Sequence, residues 1–244
     1  MEIALIGYGK MGKIIERLAL EKGHEVVLKI NRANRRELTT ENLRKADVAI
    51  EFSTPDSAFS NIEACLRAGI PVVSGTTAWL DRLPEAKALC SACDGAFLYA
   101  SNFSIGVNIF FAVNEFLAKM MAPYPTYNVR MEEIHHTQKL DAPSGTAITL
   151  AEGILKHLDR KKQWRNAPET SPDELSVISK RIDEVPGTHE VVYESEVDTI
   201  LIKHVAHSRE GFAAGALLAA EWIIGRKGFF EMKDLFSASA GSEK

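Results

Sequence analysis

The chain has 244 residues, 45% hydrophobic and 25% charged, enough apolar material for one large domain or two small ones and too much for a disordered chain. A net charge of -4 excludes a global attraction to nucleic acid or to an anionic membrane, so any anion site must be assembled locally. Three cysteines, Cys65, Cys90 and Cys93, are too sparse for a disulfide framework and fit a reducing compartment.

The N-terminus enters a strand-like run at residues 2–6 with no basic leader, so a cytoplasmic location is expected. No apolar stretch reaches the roughly 20 residues that span a bilayer. Strands are expected over 2–6, 25–30, 47–51, 70–74 and 96–100, with helices over 11–22, 56–67 and 84–92, the rhythm of a parallel sheet covered by helices. The polar stretch 31–45 is short for a crossover helix, and none is expected there. Cys90 and Cys93 fall late in the third helix and read as incidental helix residues.

Beyond Phe103 the pattern changes. A long apolar helix at 105–121 precedes a strand at 127–134, a helix at 144–158 and a charged linker at 159–171. Strands at 175–183, 189–196 and 198–207, turning at Val185–Thr188, suggest a mixed or antiparallel sheet. Helices at 211–225 and 230–236 close the chain. The expected division is a first domain of 1–103 completed by 211–244, and a second of 104–210 for substrate binding and oligomerisation.

Gly7-Tyr8-Gly9-Lys10-Met11-Gly12 lies between the first strand and the first helix, the context a dinucleotide fingerprint requires. The first glycine permits the tight turn, the second lets backbone approach a pyrophosphate, and the third lets helix and strand pack closely. The fold class is therefore α/β, a Rossmann-type doubly wound parallel sheet with a smaller α+β domain. The second strand ends at Asn31 and Arg32 where an acidic residue would favour NAD, and Arg35 and Arg36 follow. Arginine grips a 2′-phosphate bidentately, so NADPH is expected, with NADH usable. Small polar groups follow later strands: Phe52 to Pro55, then Gly75, Thr76 and Thr77, then Ala100, Ser101, Asn102 and Phe103. They fall where an open parallel sheet binds its ligand.

The densest chemistry runs from Glu133 to Thr146 and includes His135, His136, Lys139, Asp141 and Ser144. Consecutive histidines leaving a strand point to opposite sides, which makes His135 and His136 poor partners on one metal ion, and no metal is expected. Imidazole titrates near neutrality and can hand over a proton as a hydride arrives. Lys139 supplies a cation, Ser144 can cap the next helix, and the backbone N–H groups of Gly145 and Thr146 can cradle a carboxylate.

The run His135-His136-x-x-Lys139-x-Asp141-Ala-Pro-Ser144-Gly145-Thr146, with Ser101 to Asn108 and Val185 to His189, resembles the 4-hydroxy-tetrahydrodipicolinate reductase family, also called dihydrodipicolinate reductase. The resemblance implies that His135 donates or accepts a proton, that Lys139 is a second donor, and that His136, Lys139, Gly145 and Thr146 hold the carboxylates of a small cyclic dicarboxylate. It further implies that Gly75 to Thr77 and Ala100 to Phe103 line the nicotinamide, that Arg209 and Phe212 form a hinge, and that the second sheet assembles a homotetramer. Two departures stand out: Asn31 replaces the family's frequent acidic residue, and Arg181-Ile182-Asp183 replaces a glycine-rich stretch. Another two-domain dehydrogenase, or a nucleotide-sensing protein without catalysis, would share the fold; the Lys139 to Thr146 segment argues against the first, and the presence of both His135 and Lys139 against the second.

Overall fold

The fold is that of a computed structural model, which describes residues 1–208 and 210–239. In chain order the elements of its first part are β1 (Glu2–Ile6), α1 (Lys10–Glu21), β2 (Glu25–Ile30), α2 (Thr40–Leu43), β3 (Val48–Glu51), α3 (Pro55–Ala68), β4 (Val72–Ser74), α4 (Leu83–Ala92) and β5 (Ala96–Tyr99). Then come α5 (Ile105–Met121), β6 (Asn128–His135), α6 (Gly145–Leu155), β7 (Gln163–Arg165), β8 (Glu174–Arg181), β9 (Gly187–Glu194) and β10 (Thr199–Ala206). The chain closes with α7 (Glu210–Ile223), β11 (Gly228–Phe230) and α8 (Met232–Ser239).

One compact unit holds Met1–Ser104 and the chain from Glu210 onward. Its six parallel strands run in the order β11-β5-β4-β3-β1-β2. The central strands are buried along their length because helices cover both faces. On one side Ala4, Ala49, Val72 and Phe97 pack with Ile62 and Leu66 of α3; on the other Leu5, Ile50, Val73 and Leu98 pack with Ile15 of α1 and Ala216 and Leu217 of α7. Because the strands are parallel, the loops after β1, β3, β4 and β5 all leave the carboxyl edge of the sheet, and the strand order reverses at β1, where such folds take ligands.

The other unit begins at Ile105. Its five-stranded sheet has the order β10-β9-β6-β8-β7, with β9 antiparallel to both β10 and β6, and with β6, β8 and β7 parallel. Inward residues Val129, Met131, Leu175, Val177, Val191 and Tyr193 meet Phe110 and Ala118 of α5 and Leu150 and Ile154 of α6. This is a single core between one sheet face and two helices.

Two short strands depart from the sequence expectation. β7 lies inside the stretch read as a charged linker, and β11 precedes the last helix at the sheet edge. Three residues are too few to display an alternation, and pairing with a longer neighbour is what makes each a strand. Between β2 and β3 the chain forms a 3-10 turn at Arg35–Glu37 and the four-residue α2, whose N-cap Thr39 accepts from the Asn42 amide at 3.2 Å. The full crossover helix that the sequence argued against is indeed missing from this stretch.

Candidate active site

In the first unit, Gly7 has φ +98°, and a Cβ there would stand 1.9 Å from the Phe52 carbonyl oxygen, so no side chain fits. A Cβ on Gly12 would stand 2.8 Å from the Gly7 carbonyl oxygen, which is the close helix–strand packing expected of the third glycine. Gly9 is different: a Cβ there meets nothing of the protein within 4 Å. Lys10 is exposed and Met11 half-buried at the start of α1. The Tyr8 hydroxyl donates to Glu16, which also pairs with Lys29, tying the loop to β2.

The loops at the sheet edge are joined from beneath by Glu51, a fully buried carboxylate at the end of β3. It accepts from the Ser53 amide at 3.1 Å, from the Ser74 hydroxyl at 2.7 Å and from the Ser53 hydroxyl. The Ser53 amide also meets the Thr76 hydroxyl at 2.8 Å. Thr76 is thereby committed to the scaffold, whereas Thr77 and Ser101 are exposed at the edge. Ala100 and Asn102 are intermediate, with the Asn102 side chain accepting from the Ser104 amide at 2.9 Å. Phe103 is core: its ring lies 5.6 Å from that of Phe52, and a Cβ on Gly75 would clash with Phe52 at 2.2 Å.

Asn31 spends its side-chain oxygen on the Ala33 amide at 2.8 Å, shaping the loop after β2. Arg35 reaches α3, donating to Asn61 at 3.0 Å and Ser60 at 2.7 Å. Arg32 and Arg36 are exposed and make no ion pair or hydrogen bond with the described residues. Phe212 lies half-buried in the first turn of α7, and Arg209 lies outside the described residues.

In the second unit, strand register decides the geometry. Glu133 and His135 are two residues apart on β6 and share the inward face, and Glu133 pairs across β9 with His189 and across β8 with Ser179. The core therefore grades along the strand from Val129 and Met131 into a buried polar group. Nδ1 of His135 lies 3.2 Å from Oε2 of Glu133, close in distance but off the line of a full hydrogen bond. Oε1 of Glu133 accepts from the Ser144 amide at 3.1 Å and from Arg181 at 3.1 Å. Burial opposes ionisation of Glu133 and is the largest single effect, but the contacts from His135, Ser144 and Ser179 together outweigh it and hold the carboxyl below its usual range.

Ser144 caps α6, its hydroxyl accepting from the Ala147 amide at 3.2 Å and meeting Nε2 of His189 at 3.2 Å. Burial, with a smaller effect of His135, holds His189 down to about 4, so its ring is neutral where it meets the Ser144 hydroxyl. Gly145 is exposed at the helix start and Thr146 is intermediate. His136 is half-buried, and its carbonyl accepts from the Lys139 amide at 3.1 Å. The Lys139 ammonium lies 2.8 Å from Asp141.

The segment Arg181 to Asp183, where the sequence departs from the resemblance, braces this loop. Arg181 donates to the carbonyls of Lys139 and Asp141, and Asp183 accepts from the Thr137 hydroxyl at 2.6 Å. Sequence reasoning assigned no role to Glu133, His189 or Arg181. The signal for the first was an acidic residue at an inward position of β6, two before His135.

Glu133, His135 and His189 can each offer a ligand atom within 4.8 Å of the others. Two of these partners are already engaged, Glu133 by the Arg181 guanidinium and His189 by the Ser144 hydroxyl. A cation sharing the carboxylate would sit beside that guanidinium, so the set suits proton handling better than metal ligation.

Family models match both parts of the chain, dihydrodipicolinate reductase N-terminus over residues 1–103 and C-terminus over 106–236. The chain belongs to the dihydrodipicolinate reductase family. A 4-hydroxy-tetrahydrodipicolinate reductase of Christiangramia forsetii is 49% identical over 97% of this chain and 98% of its own. One from Archaeoglobus fulgidus is 34% identical over 96% and 99%. A dipicolinate-bound dihydrodipicolinate reductase from Paenisporosarcina sp. TG-14 has the same fold, with a TM-score of 0.76, 23% identity, and coverage of 95% of this chain and 97% of that one. As a dihydrodipicolinate reductase family member, the chain is an oxidoreductase using a nicotinamide nucleotide. None of its described helices is long and apolar enough to cross a membrane.

Proposed function

We propose that this chain reduces 4-hydroxy-tetrahydrodipicolinate to tetrahydrodipicolinate, in lysine and diaminopimelate biosynthesis, with NADPH preferred and NADH usable. The observation that carries the reading is the grouping of a carboxylate-backed imidazole, an ammonium and a capped helix start within Glu133 to Thr146. A cyclic dicarboxylate imine needs those three things: a proton source, a cation and N–H groups for its carboxylates.

The loop after β1 suits a dinucleotide, since Gly9 is held free of side-chain bulk by nothing in the protein itself, at the start of a twelve-residue helix. The reduced nicotinamide supplies a hydride when bound. Thr77, Ala100, Ser101 and Asn102 border its ring in this reading, with Gly75, Thr76 and Phe103 shaping those loops from behind. Lys10 and Met11 open the helix that receives the pyrophosphate. Arg32 meets the 2′-phosphate, and Asn31 sets the loop that carries it.

His135 and Lys139 protonate, and His136, Lys139, Gly145 and Thr146 hold the carboxylates. The net reaction takes one hydride and one proton, and the substrate hydroxyl leaves as water. The outer face of β10, where Leu201 is 50% exposed and Val205 44%, fits self-association into the homotetramer, in the cytoplasm.

The test is to follow nicotinamide absorbance after mixing purified protein, NADPH or NADH, and freshly generated 4-hydroxy-tetrahydrodipicolinate. Oxidation that is lost in His135→Ala and in Lys139→Ala is expected. No oxidation with either nucleotide, in folded protein that binds nucleotide, would overturn the assignment.

A further inference from the structure

Glu133 continues a strand face whose preceding members, Val129 and Met131, are core. An ion there carries a desolvation penalty unless it is well partnered, and Glu133 divides its partners between its two oxygens. Oε2 faces Nδ1 of His135 at 3.2 Å, and Oε1 takes the Ser144 amide and Arg181. On the other side of the imidazole, a Cβ placed on Gly187 would stand 3.1 Å from Nε2, so Nε2 faces the residue that has no side chain.

We propose that Glu133 is the positioning residue of the reduction, fixing the proton on Nδ1 of His135 and, through the Ser144 amide, holding the N-terminus of α6 in register with the same imidazole. The inference rests on His135 being the proton-transferring group. The imidazolium gives its Nε2 proton to the substrate and is left as the Nδ1–H tautomer, the form that a carboxylate at Nδ1 stabilises. One buried carboxylate thus sets both the proton donor and the anion-binding turn. Arg181 holds that carboxylate in place at 3.1 Å, while also gripping the Lys139 and Asp141 carbonyls of the loop between them.

Glu133→Gln keeps the shape, but it must present an amide to either His135 or the Ser144 and Arg181 side. Its oxygen is best used by the two donors, so its NH2 faces His135 and drives the imidazole proton to Nε2. Nitrogen-15 NMR of the histidine rings in the nucleotide-free protein reads that switch directly, whatever the activity. The kinetic arm is a cycle of Glu133→Gln and His135→Asn. If Glu133 acts through His135, the first change lowers kcat at least about tenfold in the native background and less than about twofold in the Asn background.

Should the glutamine variant not fold, Glu133→Asp enters the same cycle. Equal losses in both backgrounds, or an unchanged His135 tautomer, would overturn the proposal. Absent turnover by the native enzyme would instead remove the functional reading, and the tautomer arm would still decide the role of Glu133.

Discussion

A Cβ on Gly187 would come within 3.1 Å of Nε2 of His135, the nitrogen that Glu133 leaves turned away from itself. That approach is tighter than ordinary van der Waals contact, so Gly187→Ala must move the imidazole by a few tenths of an ångström. Proton transfer is sensitive to such displacement. Gly187 also holds φ +158°, which strains any side chain, so the variant is expected to fold with a lowered melting temperature and to lose kcat on the order of tenfold, with KM for the nucleotide unchanged. Steady-state kinetics beside a thermal melt check it; native kcat would mean that the imidazole does not work through this side.

The ion pair of Lys139 with Asp141 at 2.8 Å sets a competition. A substrate carboxylate that needs the ammonium must displace Asp141, whose side chain is more than half exposed and so weakly held. Lys139→Ala is expected to lower kcat/KM by more than about a hundredfold, since it removes a charged hydrogen bond to the substrate carboxylate and a proton donor together. Asp141→Asn should lower KM for the dicarboxylate a few fold. A raised KM in Asp141→Asn would show that Asp141 aims the lysine instead of competing for it.

What was legible in the sequence follows from period and spacing. The strands β1 to β5 and the helices α1, α3 and α4 announce themselves because each falls in an apolar run with a helical or strand-like period, bounded by turn residues, and the glycine spacing after β1 sits in its required context. β7 and β11 are three residues each, and their existence is a tertiary fact about a neighbouring strand. At the site, His135, Lys139 and Ser144 stand out by residue type. Arg181 and His189 lie far along the chain and reach Glu133 only through the β6–β8 and β6–β9 register, which no local pattern specifies. The role of the Arg181 to Asp183 departure has no local signal, since its side chains reach the loop after β6, and its Ile182 amide the His135 carbonyl at 2.8 Å, only once β6 and β8 are paired.

The buried His189 makes stability depend on pH with a definite sign. Its imidazole is held down to about 4 in the native state, whereas an unfolded histidine titrates near 6.5. The unfolded chain therefore binds the extra proton between those values. The contribution is full above about pH 6.5 and falls as pH drops toward 4, a loss on the order of 3 kcal/mol. Glu133 is held below the usual carboxylate range, so its contribution is present above the unfolded value of 4.5 and is lost only further down. Urea midpoints between about pH 8 and 5 are expected to fall in the native chain and to fall by less than half as much in His189→Asn. Equal slopes in the two proteins would place the acid sensitivity elsewhere.

The three arginines after β2 divide by their contacts. Arg35 is bonded to Ser60 and Asn61, so Arg35→Ala acts first on the fold, with a stability loss of about 1 kcal/mol. Arg32 has no such partner among the described residues and is exposed beside the Asn31 turn, where an adenosine 2′-phosphate would lie. Arg32→Ala is expected to raise KM for NADPH about tenfold or more while changing KM for NADH less than about twofold. The ratio of the two kcat/KM values, taken before and after the substitution, isolates the phosphate contact from any general damage. If both nucleotides lose equally, Arg32 supports the loop; if neither changes, the exposed Arg36 becomes the residue to test for the same phosphate.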